Sequence, residues 1–360
     1  MKRIFYMWLL LLSSFSFAVP VSNLYSSVVQ VPASLGDQRL LEQAFSQAIK
    51  DVLVRVSGQE AQLSNSVLNS AQRASGSWVA QHSVRDVADV RAGAEGVEAL
   101  KEVSVSFYQE SVDRFLFEQN LPVWGADRPS ILVWMVEEGS GSRQMLGANN
   151  SSNALSSLFN DAQQYGLPVY APLLDNVDRN ALNSSALWGF FEGDILQASQ
   201  RYQTDAVLAV RVRDSQGGTV VDSMLLSPGQ SSRTVSGSGA TQADALRQVL
   251  MRLSAILSDR YASTKMSGQS ALSVKVDGVQ SYRAMATLKN YLASIGVVQQ
   301  IQLRNIVDGQ VEFNVLINGT ADKFRNSVAL NSMLVAKPLT GMNTVPASIV
   351  EYQYIGEGNN

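Results

Sequence analysis

The sequence predicts an α+β protein of three small domains, and three observations carry that prediction. Apolar residues recur on one helical face from Leu40 to Val56, the mark of a long amphipathic helix. The run Ile131-Leu132-Val133-Trp134-Met135-Val136 is apolar on both sides of a strand, as a strand buried on both faces requires. After Ser263, strand and helix patterns alternate in a fixed order to the end of the chain.

Taken in order, Leu24 to Val31 has strand composition and stops at Pro32. The helix Leu40–Val56 turns Gln43, Gln47, Lys50 and Asp51 to its opposite face, and Gly58 supplies its stop signal. Shorter helical stretches are expected around Leu63–Arg73 and Ser77–His82, then an alternating strand Val103–Tyr108 and a helix Ser111–Asn120. This first unit covers 19–125. The second, 126–264, opens with the apolar strand and a turn at Gly139–Ser142. It continues with a helix Asn153–Tyr165, a short strand Leu167–Tyr170 and a helix Asp194–Tyr202. A hairpin follows around Gly217-Gly218, then a third strand Arg233–Ser238 and a closing helix Ala243–Tyr261. That content predicts a mixed sheet flanked by helices. Ser263–Gln269 is the linker, and 265–360 reads as strand 271–276, helix 281–295, strands 297–306 and 311–317, helix 321–331 and strand 333–336. This is the β-α-β-β-α-β order of a ferredoxin-like domain, with Asp308-Gly309 as its hairpin turn and Val345–Tyr354 as an added edge strand.

Composition narrows the chemistry. Of 360 residues, 16% are charged and the net charge is -3, with no block of Lys or Arg. A nucleic-acid binder needs a basic stripe to release counterions, so nucleic acid is not an expected partner. There is no cysteine, which removes disulfides, thiolate metal sites and thiol nucleophiles and suits an oxidising compartment. The amino terminus agrees. Lys2 and Arg3 precede an apolar run from Ile4, and Ser16-Phe17-Ala18 offers small residues for cleavage after Ala18. The predicted location is therefore the periplasm, with 1–18 removed, and without a cysteine lipid attachment by the bacterial lipoprotein route is not expected.

His82 is the single histidine and no Gly-x-Ser-x-Gly elbow accompanies it, so a serine hydrolase is not supported. With one histidine and no cysteine, no metal and no cofactor is expected. Gly93–Gly96 and Gly237–Gly239 lack the spacing of a dinucleotide fingerprint and read as turns. Asp175 and Asp178, in the loop Leu174–Asn180, form a possible carboxylate site or serve as helix caps. Trp124, with Arg128 four residues on, reads as a contact surface or as a packing clasp between the first two units. Trp188, beside Phe190 and Phe191, is a further candidate for the contact surface or the core face of a short helix.

Leu53–Gly58, Leu121-Pro122-Val123-Trp124-Gly125 with Arg128-Pro129, and Gly166-Leu167-Pro168 with Pro172–Asp175 together resemble the exported proteobacterial family called domain of unknown function 2066. The resemblance runs to about Tyr261 and implies no activity. The middle unit, with its strand from Asp205 to Val210 and its closing helix, is similar to the amino-terminal domain of TolB and to lipoprotein activators of penicillin-binding proteins. The three-domain layout resembles that of the flagellar assembly protein FlgT. These proteins act by contact, so the resemblance implies an adaptor or assembly factor for envelope partners. Two further readings stay open: a small-molecule or glycan-binding protein using a cleft near Trp124 and Arg128, and a hydrolase using Asp175 and Asp178.

Overall fold

The computed structural model describes residues 21–87, 99–139, 141–149, 152–228, 230–264, 268–337 and 348–356. The expected signal segment and the turn at Gly93–Gly96 lie outside them. The chain is a mixed α+β protein, with three separate sheets among the described residues.

The first sheet has the order β1-β3-β2, from β1 (Ser26–Pro32), β2 (Val79–Asp86) and β3 (Leu100–Phe107). Both of its pairings are antiparallel. Three helices accompany it: α1 (Asp37–Ser57), α2 (Asn65–Trp78) and α3 (Gln109–Glu118). Val29 and Val31 of β1 and Val103 and Val105 of β3 alternate inward against Ala44, Ala48 and Val52 of α1, as the two-residue period of a half-buried sheet demands. Helix α1 ends where Gly58 takes φ +64° and its N–H caps Val54 O at 2.9 Å. A Cβ there would lie 2.8 Å from the Ser258 Cβ and 3.0 Å from the Trp124 ring. The position therefore needs glycine both for its left-handed backbone and for space.

The second sheet runs β5-β4-β7-β8-β9, with β6 also paired to β4. Its strands are β4 (Ile131–Gly139), β5 (Ser142–Leu146), β6 (Val169–Tyr170), β7 (Ala206–Ser215), β8 (Gly218–Leu226) and β9 (Arg233–Gly239). Pairing of β4 with β6 and β7 is parallel and the rest is antiparallel. Helices α4 (Asn153–Tyr165) and α8 (Gln242–Tyr261) cover one face, and α5 (Asn176–Ala181), α6 (Ser184–Trp188) and α7 (Glu192–Ser199) lie on the other. Strand β4 accordingly buries all six residues from Ile131 to Val136. Each such aliphatic side chain contributes about 1.5–3 kcal/mol. Trp134 lies on the α6–α7 side and donates its indole N–H to Ser199 Oγ at 2.9 Å. The α4–α8 side shares one continuous core with the first sheet and its helices.

The third sheet has its own core. It comprises β10 (Gln269–Asp277), β11 (Val298–Val307), β12 (Gln310–Asn318), β13 (Leu334–Ala336) and β14 (Ile349–Tyr354), with α9 (Tyr282–Ser294) and α10 (Ala321–Val328). The β-α-β-β-α-β order is present, and Asp308 and Gly309 both take positive φ at the β11–β12 turn. The tail strand is not at the edge as expected. In the order β11-β12-β10-β14-β13, β14 lies parallel to β10 and antiparallel to β13, separating the two strands. Val350 and Tyr352 enter the core from it, and that burial is the reason for an interior position.

Three local expectations are corrected. Gly237–Gly239 is not a turn but the end of β9, paired with Thr219–Val221 of β8. Residues 77–82 do not form a helix of their own. Helix α2 runs on to Trp78, and His82 lies on β2, exposed and edge-on to Phe45 at 5.4 Å. The Asp175–Asn180 stretch is not a loop but the cap and body of α5. No helix among the described residues is long and apolar enough to cross a membrane.

Candidate functional site

Trp124 and Arg128 are 1% and 0% exposed, so of the two readings, contact surface and clasp, they take the second and form a buried clasp. The Trp124 ring stacks on Tyr261 of α8, with centroids 6.3 Å apart and planes 6° from parallel. The Arg128 guanidinium lies 4.1 Å from the centroid of the Trp124 ring. Its N–H groups donate to the carbonyls of Gly125, Trp124, Arg55, Tyr165 and Gly166 at 2.8–3.2 Å. Three of these carbonyls belong to the C-terminal ends of α1 and α4, the negative poles of the two helix dipoles. Burial, with Arg55 nearby, pushes the guanidinium down to about 9, and it remains a cation at neutral pH. Gly166 makes this approach possible. It takes φ +65°, and a Cβ would lie 2.7 Å from Arg128 Nη1 and 2.8 Å from Arg55 Cγ.

Trp188 is on the other face of the second sheet from Trp124, so these candidates do not meet. It closes α6 half-buried, with the Arg143 guanidinium 4.2 Å and that of Arg211 5.8 Å from its ring centroid. Arg211 also donates to Trp188 O at 3.0 Å. This is a surface cluster in which Trp188 is packed, with Phe191 exposed beside it.

Asp175 and Asp178 are committed to structure. Asp175 caps α5 by accepting from the N–H groups of Val177 and Asp178, and Arg201 grips both of its oxygens at 2.8 and 3.0 Å. Asp178 is fully buried and accepts from Arg201, Leu174 N–H and, at 2.5 Å, Tyr202 O–H. Burial, helped by the bond to Asp178, pushes the Tyr202 phenol up to about 12. Each carboxylate oxygen thus has a partner, which leaves a poor general base, and Asp175 is held too acidic for a general acid.

The Arg201 hydrogen bonds hold the Asp175 carboxyl down to about 2. Since an unfolded aspartate titrates near about 3.9, this contribution to stability is complete above that value and is lost as pH falls through the folded one. Asp175→Asn is expected to lower the melting temperature at neutral pH and to flatten its decline between these two values, so that variant and parent converge in acid. Calorimetry at stepped pH measures it, and an unchanged acid slope would show that Arg201 does not hold Asp175 in solution.

The remaining candidate is a cleft of about 780 Å³ between β1 with α1 on one side and α4 with β6 on the other. Asn160, Gln163 and Gln164 of α4 line one wall, and Ser26, Ser27 and Val28 of β1 the other. Arg55 and Asp51, one turn apart on α1, also line it. Arg55 donates Nη1–H to Asn23 O at 3.1 Å and Ser26 O at 2.5 Å, while its buried Nε has no partner. Among the described residues no carboxylate forms an ion pair with it. Burial pushes this guanidinium down, and Asp51 opposes that. Asp51 Oδ2 in turn accepts from Ser27 Oγ at 2.8 Å. The ligand-binding reading of the sequence puts a cleft near Trp124 and Arg128 and names none of these lining residues. The helical pattern that turns Asp51 away from the core was the available signal.

A family model described as a domain of unknown function (DUF8605) matches residues 18–125, a stretch that holds β1 to α3 and ends just past Trp124. No curated protein and no solved structure matches the chain.

Proposed function

We propose that this is an exported envelope protein that works by binding, an adaptor or assembly factor whose partner enters the cleft between β1 and α4. The observation that carries the reading is the cleft itself, which is preformed, walled by hydrogen-bonding side chains and lined by a guanidinium that forms no ion pair within 4 Å among the described residues. Its volume falls within the range of about 300–1,000 Å³ typical of ligand sites. The export signal, and the resemblance to envelope proteins that act by contact, support the same reading. A glycan or other small molecule is the second reading, favoured by the amides of Asn23, Asn160, Gln163 and Gln164 together with the rings of Phe159 and Tyr170.

A photo-crosslinking amino acid placed at Gln163, exposed on the cleft wall, tests the reading in intact cells. Defined crosslinked species are expected from Gln163 and not from Lys289, exposed on α9. Equal crosslinking from both positions, or none from Gln163, would remove the cleft as the contact site.

A further inference from the structure

We propose that the occupant of the cleft is an extended, acidic polypeptide segment of a partner protein, which adds to the first sheet as a fourth strand beside β1. The inference rests on the cleft being the binding site and names what fills it.

The first support is the hydrogen-bonding phase of β1. Phe107 N–H bonds to Tyr25 O and Ala33 N–H to Ala99 O, at 2.9 and 2.8 Å. In an antiparallel pair these bonds recur at every second residue. The backbone groups of Ser27, Val29 and Val31 therefore point toward β3, and those of Ser26, Val28 and Gln30 toward the free edge. Ser26 is already served, its N–H by Asn23 O and its C=O by Arg55. The N–H and C=O of Val28 and Gln30 meet no protein partner among the described residues, which leaves two donors and two acceptors in a row. That is the template a strand-adding segment uses.

Second, this edge lacks the usual guards. Edge strands are protected by charge, bulges or brevity. At the other edges, β2 carries Arg85, Asp86 and a register shift, β11 carries Arg304 and two shifts, and β13 has three residues. Strand β5 carries Arg143 and β9 carries Arg233. By contrast, β1 reads Ser-Ser-Val-Val-Gln-Val-Pro, uncharged and in unbroken register with β3, with a proline only at its end.

Third, the cleft supplies the rest of a strand's needs. A segment seated beside β1 has a second edge, and across the cleft stand the amides of Asn160, Gln163 and Gln164, which both donate and accept. Arg55 sits at the Ser26 end of the open stretch, bound to carbonyls and to no carboxylate, with the buried Arg128 cation behind it. A side-chain or terminal carboxylate of the incoming segment complements that charge.

The test uses the signal-cleaved protein and synthetic peptides tiling the host's exported proteins. Expected is a set of acidic peptides whose binding slows amide exchange at Val28 and Gln30. Binding should weaken at least about tenfold in Val28→Pro or Gln30→Pro, which each delete one outward donor, and persist in Val28→Thr. The prolines leave the β3 ladder intact because these N–H groups face away from it; retained exchange protection at Val29 and Val31 verifies that. Amidating the peptide carboxylates should weaken binding similarly. Peptides bound equally by the proline variants would overturn strand addition, and so would the absence of any bound peptide. If soluble peptidoglycan fragments protect Gln163 and Gln164 while no peptide protects Val28, the cleft survives as the site and the polypeptide occupant does not. If neither ligand binds, both readings fall. A dimer in light scattering that the prolines dissociate would assign the edge to a second copy of this chain and overturn the partner segment.

Discussion

Arg128→Met is expected to destabilise the protein by about 3–5 kcal/mol. Methionine fills much of the volume but donates nothing, so five carbonyls at the junction of α1, α4 and the Trp124 loop lose a common donor. A buried acceptor left unpaired costs about 1–3 kcal/mol, and the carbonyls are too close together for these costs to add. The gain from no longer burying a cation works the other way, and is smaller because five acceptors and two helix ends already compensate that charge. Arg128→Lys should recover little, since a point-like ammonium cannot serve acceptors arranged around a planar fork. Urea unfolding reads the effect. A loss under about 1 kcal/mol would mean that water replaces the guanidinium readily, and that the clasp is not what joins the first two units.

Trp124→Ala should cost a similar amount, about 3–5 kcal/mol, as expected for removing a large buried ring. The ring stacks on Tyr261 and lies against the Arg128 guanidinium, and it fills the space that Gly58 leaves open. Because Arg128 rests on Trp124, the two substitutions should not be additive. The double variant should lose less than the sum by about 1 kcal/mol or more. Full additivity in a double-mutant cycle would show that the two side chains act independently despite their contact.

Legibility in the sequence followed the range of the interactions. Helix α1 and its glycine stop were readable because periodicity and capping are local. So were α4, whose bounds agree with the expected Asn153–Tyr165, and the doubly buried β4. The Asp308-Gly309 turn was readable for the same reason. What was missed depends on partners distant in the chain. His82 was assigned to a helix because nothing nearby announces that β2 pairs with β3 across a gap in sequence. The interior place of β14 depends on β10, more than seventy residues earlier. Asp178 reads in sequence as a carboxylate site or a helix cap, and the partners that decide its role, Arg201 and Tyr202, come from beyond α7. The sequence leaves Arg128 open between a contact surface and a clasp, because its carbonyl partners cannot be seen in side-chain types. The cleft, for its part, has a wall of backbone edge, and a one-letter sequence carries no record of which backbone groups go unpaired.

The interior position of β14 bears on when the last module can form. If the chain crosses a membrane amino terminus first, residues 349–354 arrive after every other strand of their sheet. Until then β10 has no neighbour on that side and β13 has none to pair with, so Leu272, Val274 and Leu334 stand against an incomplete layer. The first two sheets need nothing from beyond residue 264 to complete their strand sets. Export would thus deliver a cleft already assembled, followed by a module that closes only when the tail threads between two waiting strands. A chaperone or secretion factor that retained the emerging tail would delay that closure without disturbing the cleft, separating maturation of the two ends in time.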